Sequence, residues 1–131
     1  MSSLFLVDSS IWIDAHRRAT GRNAIVLKKL LDLDEVALAL PVRLELLAGV
    51  SRRDRMSLQR GLSSLPVLQP TEGTWRQIDR WLPIAADRGH RFGLADWLIA
   101  ALANEIDALI WSLDEDFEQL GRLKMARLYE P

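Results

Sequence analysis

Apolar residues fall along this chain in two rhythms. Leu4-Phe5-Leu6-Val7 is an unbroken apolar run that stops at the polar turn Asp8-Ser9-Ser10, the pattern of a strand buried on both faces. Val36 to Leu40, Val67-Leu68 between Pro66 and Pro70, Ala108 to Trp111 and Met125 to Leu128 repeat it. Between these runs the spacing becomes helical. Ala24 to Leu33 sets Ile25, Val26, Leu27, Leu30, Leu31 and Leu33 along an amphipathic helix,. Ser10 is placed to cap a helix carrying Ile11 and Trp12 on its apolar side,. Pro41 suits the first turn of another and Gly49 its end,. Arg52 to Leu62 reads as a helix, and Thr71 can cap a long one to about Asp87, with Pro83 expected to kink it or end it early,. Gly89 and Gly93 bracket a turn, Asp96 opens a helix to about Glu105, and Ser112 to Phe117 is the exit loop of the fourth strand, with a short helix after it.

Strands alternating with helices predict an α/β fold, a mainly parallel sheet with helices on both faces. In such sheets ligands bind beyond the carboxyl ends of the strands. The residues there are acidic. Asp8 follows the first strand, Glu45 lies in the helix after the second, Asp114 and Asp116 follow the fourth, and Asp96 starts the helix leading into the fourth. Singly, each has a plain structural reading as a turn, cap or first-turn acid. Together they point to one edge. Two carboxylates ~4 Å apart repel by about 4 kcal/mol at an effective dielectric near 20. Several in one pocket therefore need protons or a divalent cation. Oxygen ligands without nitrogen or sulfur select magnesium or manganese over zinc. Such a centre suits phosphodiester hydrolysis by an activated water.

Composition narrows the picture. The chain has 131 residues, 49% of them hydrophobic, and a net charge of −1. That is one domain's length, residues 1–131, and too apolar for intrinsic disorder. The absence of cysteine excludes disulfides, thiolate zinc sites and a cysteine nucleophile; it fits a reducing, cytoplasmic setting. The start lacks a basic region and breaks at Asp8, unlike a signal peptide. No apolar run reaches the ~18–20 residues of a membrane span. Fourteen of the 17 basic residues are arginine, clustered at Arg17-Arg18-Arg22, Arg52-Arg53-Arg55-Arg60 and Arg88-His90-Arg91. They are either solvated helix faces or phosphate contacts.

Four stretches in order resemble the PIN-domain ribonucleases, and more narrowly the VapC-type toxins of bacterial type II toxin–antitoxin pairs: Val7-Asp8-Ser9-Ser10-Ile11-Trp12-Ile13, Leu44-Glu45-Leu46-Leu47-Ala48-Gly49, Asp96-Trp97-Leu98-Ile99-Ala100-Ala101 and Ser112-Leu113-Asp114-Glu115-Asp116-Phe117. The resemblance implies a three-layer α/β/α sandwich and a magnesium- or manganese-dependent endoribonuclease. It implies Asp8 and Asp96 as main metal ligands, with Glu45 and Asp114 completing the pocket. Asp116 would bind a second metal or assist Asp114. Ser10 would hold a metal water or a phosphate, and Ser112 keeps the hydroxyl of the family's usual threonine. An RNA substrate, a VapB-like antitoxin and a homodimer are implied as partners. Trp12, Ile13 and the helices between Ala24 and Leu62 would face the antitoxin. Two other readings stay open: an aspartyl-phosphate phosphotransfer domain with Asp8 as nucleophile, and a catalytically silent PIN-like module binding RNA or protein.

Overall fold

The computed structural model describes residues 3–131. Met1 and Ser2, which open the start read as unlike a signal peptide, lie outside the described residues. In chain order the elements are β1 (Phe5–Val7), α1 (Ser9–Arg17), α2 (Arg22–Asp32), β2 (Val36–Ala39), α3 (Leu40–Gly49), α4 (Arg52–Leu62), β3 (Val67–Leu68), α5 (Glu72–Asp87), α6 (Leu94–Glu105), β4 (Leu109–Trp111) and α7 (Glu115–Arg122). The four strands form one sheet in the order β3-β2-β1-β4, every pair parallel.

Both faces of the sheet are covered. Alternate residues of β1 explain how. Phe5 and Val7 pack with Ile11, Leu27, Leu30, Val36 and Trp111, under α1 and α2. Leu6 faces the other way, into a larger core built from Val42, Leu46, Ile78, Trp81, the run Trp97 to Ala103, Phe117 and Leu120, on α3, α5, α6 and α7. A strand buried on both faces has no polar alternation to show, so its sequence reads as a plain apolar run. The result is the expected three-layer α/β/α sandwich.

Four local expectations need correction. Ser10 does not cap α1. Asp8 keeps an extended backbone (φ −69°, ψ 156°) and its carbonyl accepts from the amides of Ile11 and Trp12, so the residue that follows the strand is itself the helix cap. Asp96 does not open α6; Gly93 caps it, and Asp96 lies in the first turn, where its charge favours the helix dipole. The exit loop of β4 shrinks to Ser112-Leu113, because Asp114 caps α7 by accepting from the amide of Asp116 at 2.9 Å. Pro83 neither ends nor interrupts α5. It sits on the exposed side, so the carbonyl of Asp79 that loses its donor opens to water.

The segment Met125 to Leu128 forms no strand. Ile110 meets Leu128 in a single parallel bridge, with Ile110 N donating to Arg127 O and Tyr129 N to Ile110 O, each at 2.8 Å.

Candidate active site at the carboxyl edge of the sheet

The register of the two central strands builds the site. Val7 of β1 pairs with Trp111 of β4, so the next residues, Asp8 and Ser112, leave the sheet side by side. The Asp8 amide donates to Trp111 O at 2.8 Å, fixing that juxtaposition. β1 connects onward to β2 on one side and lies against β4 on the other. The crevice between β1 and β4 is therefore the switch point at which α/β sheets bind ligands.

Asp8 is 8% exposed, and its carboxylate is held firmly. Ser10 Oγ donates to Asp8 Oδ2 at 2.8 Å and Ser112 Oγ donates to the same oxygen at 2.7 Å. Each serine oxygen also accepts a backbone amide from the β4–α7 turn: Ser10 from Leu113 and Ser112 from Asp114, both at 3.0 Å. A closed ring of hydrogen bonds thus ties the first acidic motif to the last. The resemblance implies that Ser10 holds a metal water or a phosphate and that Ser112, keeping the hydroxyl of the family's usual threonine, helps to position substrate. Here their protons go to Asp8 and their lone pairs to the turn.

The remaining acids gather around this ring. Asp96, Asp114 and Asp116 each offer a carboxylate oxygen, and the three oxygens lie within 4.8 Å of one another. Asp96 comes from the first turn of α6, Asp114 caps α7, and Asp116 stands in the first turn of α7. Asp8 is not one of that trio, yet its charge acts on Asp96. Burial, the charge of Asp114, a carboxyl hydrogen bond with Asp116 and the charges of Asp116 and Asp8 push Asp96 up to about 7. A carboxyl that holds its proton near neutrality marks a place where negative charge is already in excess.

Glu45 reaches the site through a partner. Ser9 Oγ donates to Glu45 Oε2 at 2.9 Å, joining α3 to the start of α1 one residue beyond Asp8. Ser9 was the residue that sequence reasoning left without a role. Its signals were adjacency to Asp8 and a place where the resembled family often has threonine; the partner itself lies 36 positions away. All seven predicted positions, Asp8, Ser10, Glu45, Asp96, Ser112, Asp114 and Asp116, are thus linked to one edge. Trp97 and Trp111, each 3% exposed, are core residues flanking it. Trp12 is half-buried and donates Nε1–H to Val7 O.

The donor set fits a hard divalent cation: three carboxylates from two elements, close enough to share one ion, with no nitrogen or sulfur competitor in the trio,. The proton on Asp96 and a cation are alternative ways of relieving the same repulsion.

The PIN domain family model matches residues 5–123. Ribonuclease VapC18 of Mycobacterium tuberculosis is 30% identical over 125 residues, covering 92% of this chain and 89% of its own length. VapC ribonuclease Mb1587 of Mycobacterium bovis is 27% identical over 125 residues, covering 92% and 93%. Among solved structures, DNA-bound VapBC from Salmonella typhimurium superposes with a TM-score of 0.78 at 17% identity, covering 98% of each chain. FitAB bound to a DNA fragment gives 0.79 at 15% identity, covering 96% of this chain and 94% of the other. The structural likenesses bear on the fold, and the family match and the 30% relative reach further: the chain belongs to the PIN-domain family, in the company of the VapC ribonucleases.

Proposed function

We propose that this chain is a magnesium- or manganese-dependent endoribonuclease, a VapC-type toxin restrained by a VapB-like antitoxin. The observation that carries the reading is the convergence of Asp96, Asp114 and Asp116 within 4.8 Å beside the buried Asp8. When bound, the cation supplies a water acidic enough to attack phosphorus and positive charge for the departing oxygen. The chain's own residues set the rest. Asp8 and Asp96 are the main ligands, and Asp114 with Asp116 completes the cage. Ser10 and Ser112 occupy Oδ2 of Asp8, which orients that carboxylate and leaves Oδ1 to a ligand. Glu45, steadied by Ser9, stands at the side of the pocket, where it can orient a water or take up a proton.

The relatives named as ribonucleases support RNA as the substrate, and the VapBC complexes among the structural neighbours support an antitoxin. Exposed apolar side chains at Ile13, Ile25 and Leu44, 42%, 63% and 54% exposed, lie on α1, α2 and α3, where the antitoxin-facing surface is expected. The phosphotransfer reading gains no such support.

Cleavage of single-stranded RNA with magnesium or manganese, and its loss in chelator, is the expected result. Asp8→Asn and Asp96→Asn should each lower cleavage by at least 100-fold while retaining the native circular dichroism spectrum. Cleavage that survives chelation, or an unimpaired Asp96→Asn protein, overturns the proposal.

A further inference from the structure

A centre built from five acids repels the phosphates it is meant to receive. The protein as a whole offers no compensation, with a net charge of −1. Some local surface must therefore supply the attraction, and α4 is the element whose sequence makes no sense as packing. Of its eleven residues only Leu62 is buried and Leu58 partly so. At 100° per residue, Arg55, Gln59, Arg52, Met56, Arg60 and Arg53 follow one another round an arc of about 160° that begins beside Leu62 and turns away from Leu58. All six are exposed. The helix's single acid, Asp54, falls outside that arc and is turned back on its own cap, accepting from Ser51 Oγ at 3.1 Å.

Of the ten arginines outside α4, three meet acids: Arg18 with Asp14, Arg76 with Glu72 and Arg127 with Asp107. Among the described residues no ion pair involves α4. Arg52 and Arg55, like charges three positions apart, cost the helix a few tenths of a kcal/mol, and α4 has little burial to offset that. Its place is equally telling. α3, which carries Glu45 at the edge of the acidic site, runs into α4 through Val50 and Ser51 alone.

We infer that the arginine arc of α4, Arg52, Arg53, Arg55 and Arg60, is the track on which the sugar–phosphate backbone of the RNA lies as it enters the acidic site past Glu45. The inference rests on the nuclease reading and extends it to how substrate is held. Arg52 to Arg60 spans about 12 Å along the helix axis, long enough to meet several successive phosphates. An acidic protein segment is the competing occupant. It is disfavoured because a protein interface needs a buried apolar centre, and Met56 is the arc's one apolar side chain.

The test compares the wild type with a variant carrying Arg52→Gln, Arg53→Gln, Arg55→Gln and Arg60→Gln, and with the corresponding four-lysine variant. Binding of a mixed-sequence single-stranded RNA is measured against salt, in chelator so that the strand is not consumed. Each phosphate contact contributes about 0.7 to the slope of log K against log salt. The glutamine variant should therefore lose 2 to 3 from the slope, about a 50-fold smaller fall in affinity between about 0.05 and 0.2 M salt. Lysine should restore most of the slope, because the charge is kept. With metal present, KM for the same RNA should rise at least tenfold in the glutamine variant while kcat stays within threefold. An unchanged slope and KM in the glutamine variant overturn the track, even if wild-type cleavage is normal. Loss of antitoxin capture with RNA binding intact overturns it in favour of a protein partner. If the wild type cleaves no RNA with either metal, the nuclease reading falls and the track with it.

Discussion

Asp96 is the residue on which the electrostatics of the site concentrate. Its folded-state value near 7 stands above the ordinary 3.8 because burial and the charges of Asp114, Asp116 and Asp8 all oppose ionisation. Between those two values the folded protein keeps a proton that the unfolded chain has released. Folding stability from this group is therefore fully present below about pH 4 and declines as pH rises towards 7. The metal-free protein should melt at a higher temperature at about pH 5.5 than at about pH 8, and Asp96→Asn should flatten that difference. The same proton competes with a cation, so metal affinity measured by calorimetry should strengthen as pH passes 7. A metal-free melting temperature that rises from pH 5.5 to 8 would contradict the assignment. Which residues carry acids was plain in the sequence, since Asp8, Asp96 and Asp114 sit at predicted strand ends and helix starts. The hydroxyl ring was not. Ser10 and Ser112 are 102 positions apart, and only the β1–β4 register brings them to one carboxylate.

At the scale of elements, the strand and helix identities were legible because period and punctuation agreed, and the errors fell at boundaries. Asp8, Gly93 and Asp114 each cap a helix from one residue outside it, where sequence reasoning looked for a hydroxyl or a later acid. Pro83 misled because a proline on a solvent-facing side of a long helix forfeits one bond and little else. A contact invisible at this scale joins the start of α5 to the end of α6. Thr74, wholly buried, accepts from the Thr71 amide at 3.0 Å and donates to Glu105. Glu105 ends α6, where the helix dipole disfavours a negative charge, and the threonine hydroxyl offsets that. Thr74→Val removes both bonds, and the exposed Thr71 and Glu105 turn to water instead. It should cost about 0.5–1.5 kcal/mol, read as a lower midpoint in urea with an unchanged slope. Adding Glu105→Leu should recover part of the loss; no loss in the single variant would mean the bond contributes nothing.

For the whole molecule, the same arrangement that makes a cation site makes the metal-free fold less stable than its core allows. Two faces of apolar packing hold β1 and β4 in register, and the register forces Asp8 and Ser112 together whether or not their neighbours repel. Stability is thus spent at the carboxyl edge, as active sites commonly require. Asp8→Asn tests this directly. The amide oxygen still accepts from Ser10 and Ser112, so the ring survives, and one negative charge leaves the neighbourhood of Asp96. In chelator the variant should be more stable than the wild type by about 0.5–2 kcal/mol. With magnesium or manganese the order should reverse. Wild type gains about 2.7 kcal/mol when the cation stands at 100 times its dissociation constant, whereas a variant lacking a principal ligand gains little. Melting curves of both proteins, with metal and with chelator, decide the matter. A variant that is less stable in chelator would place Asp8 among residues retained for the fold, and one that keeps the full metal-induced gain would remove it from the ligand set.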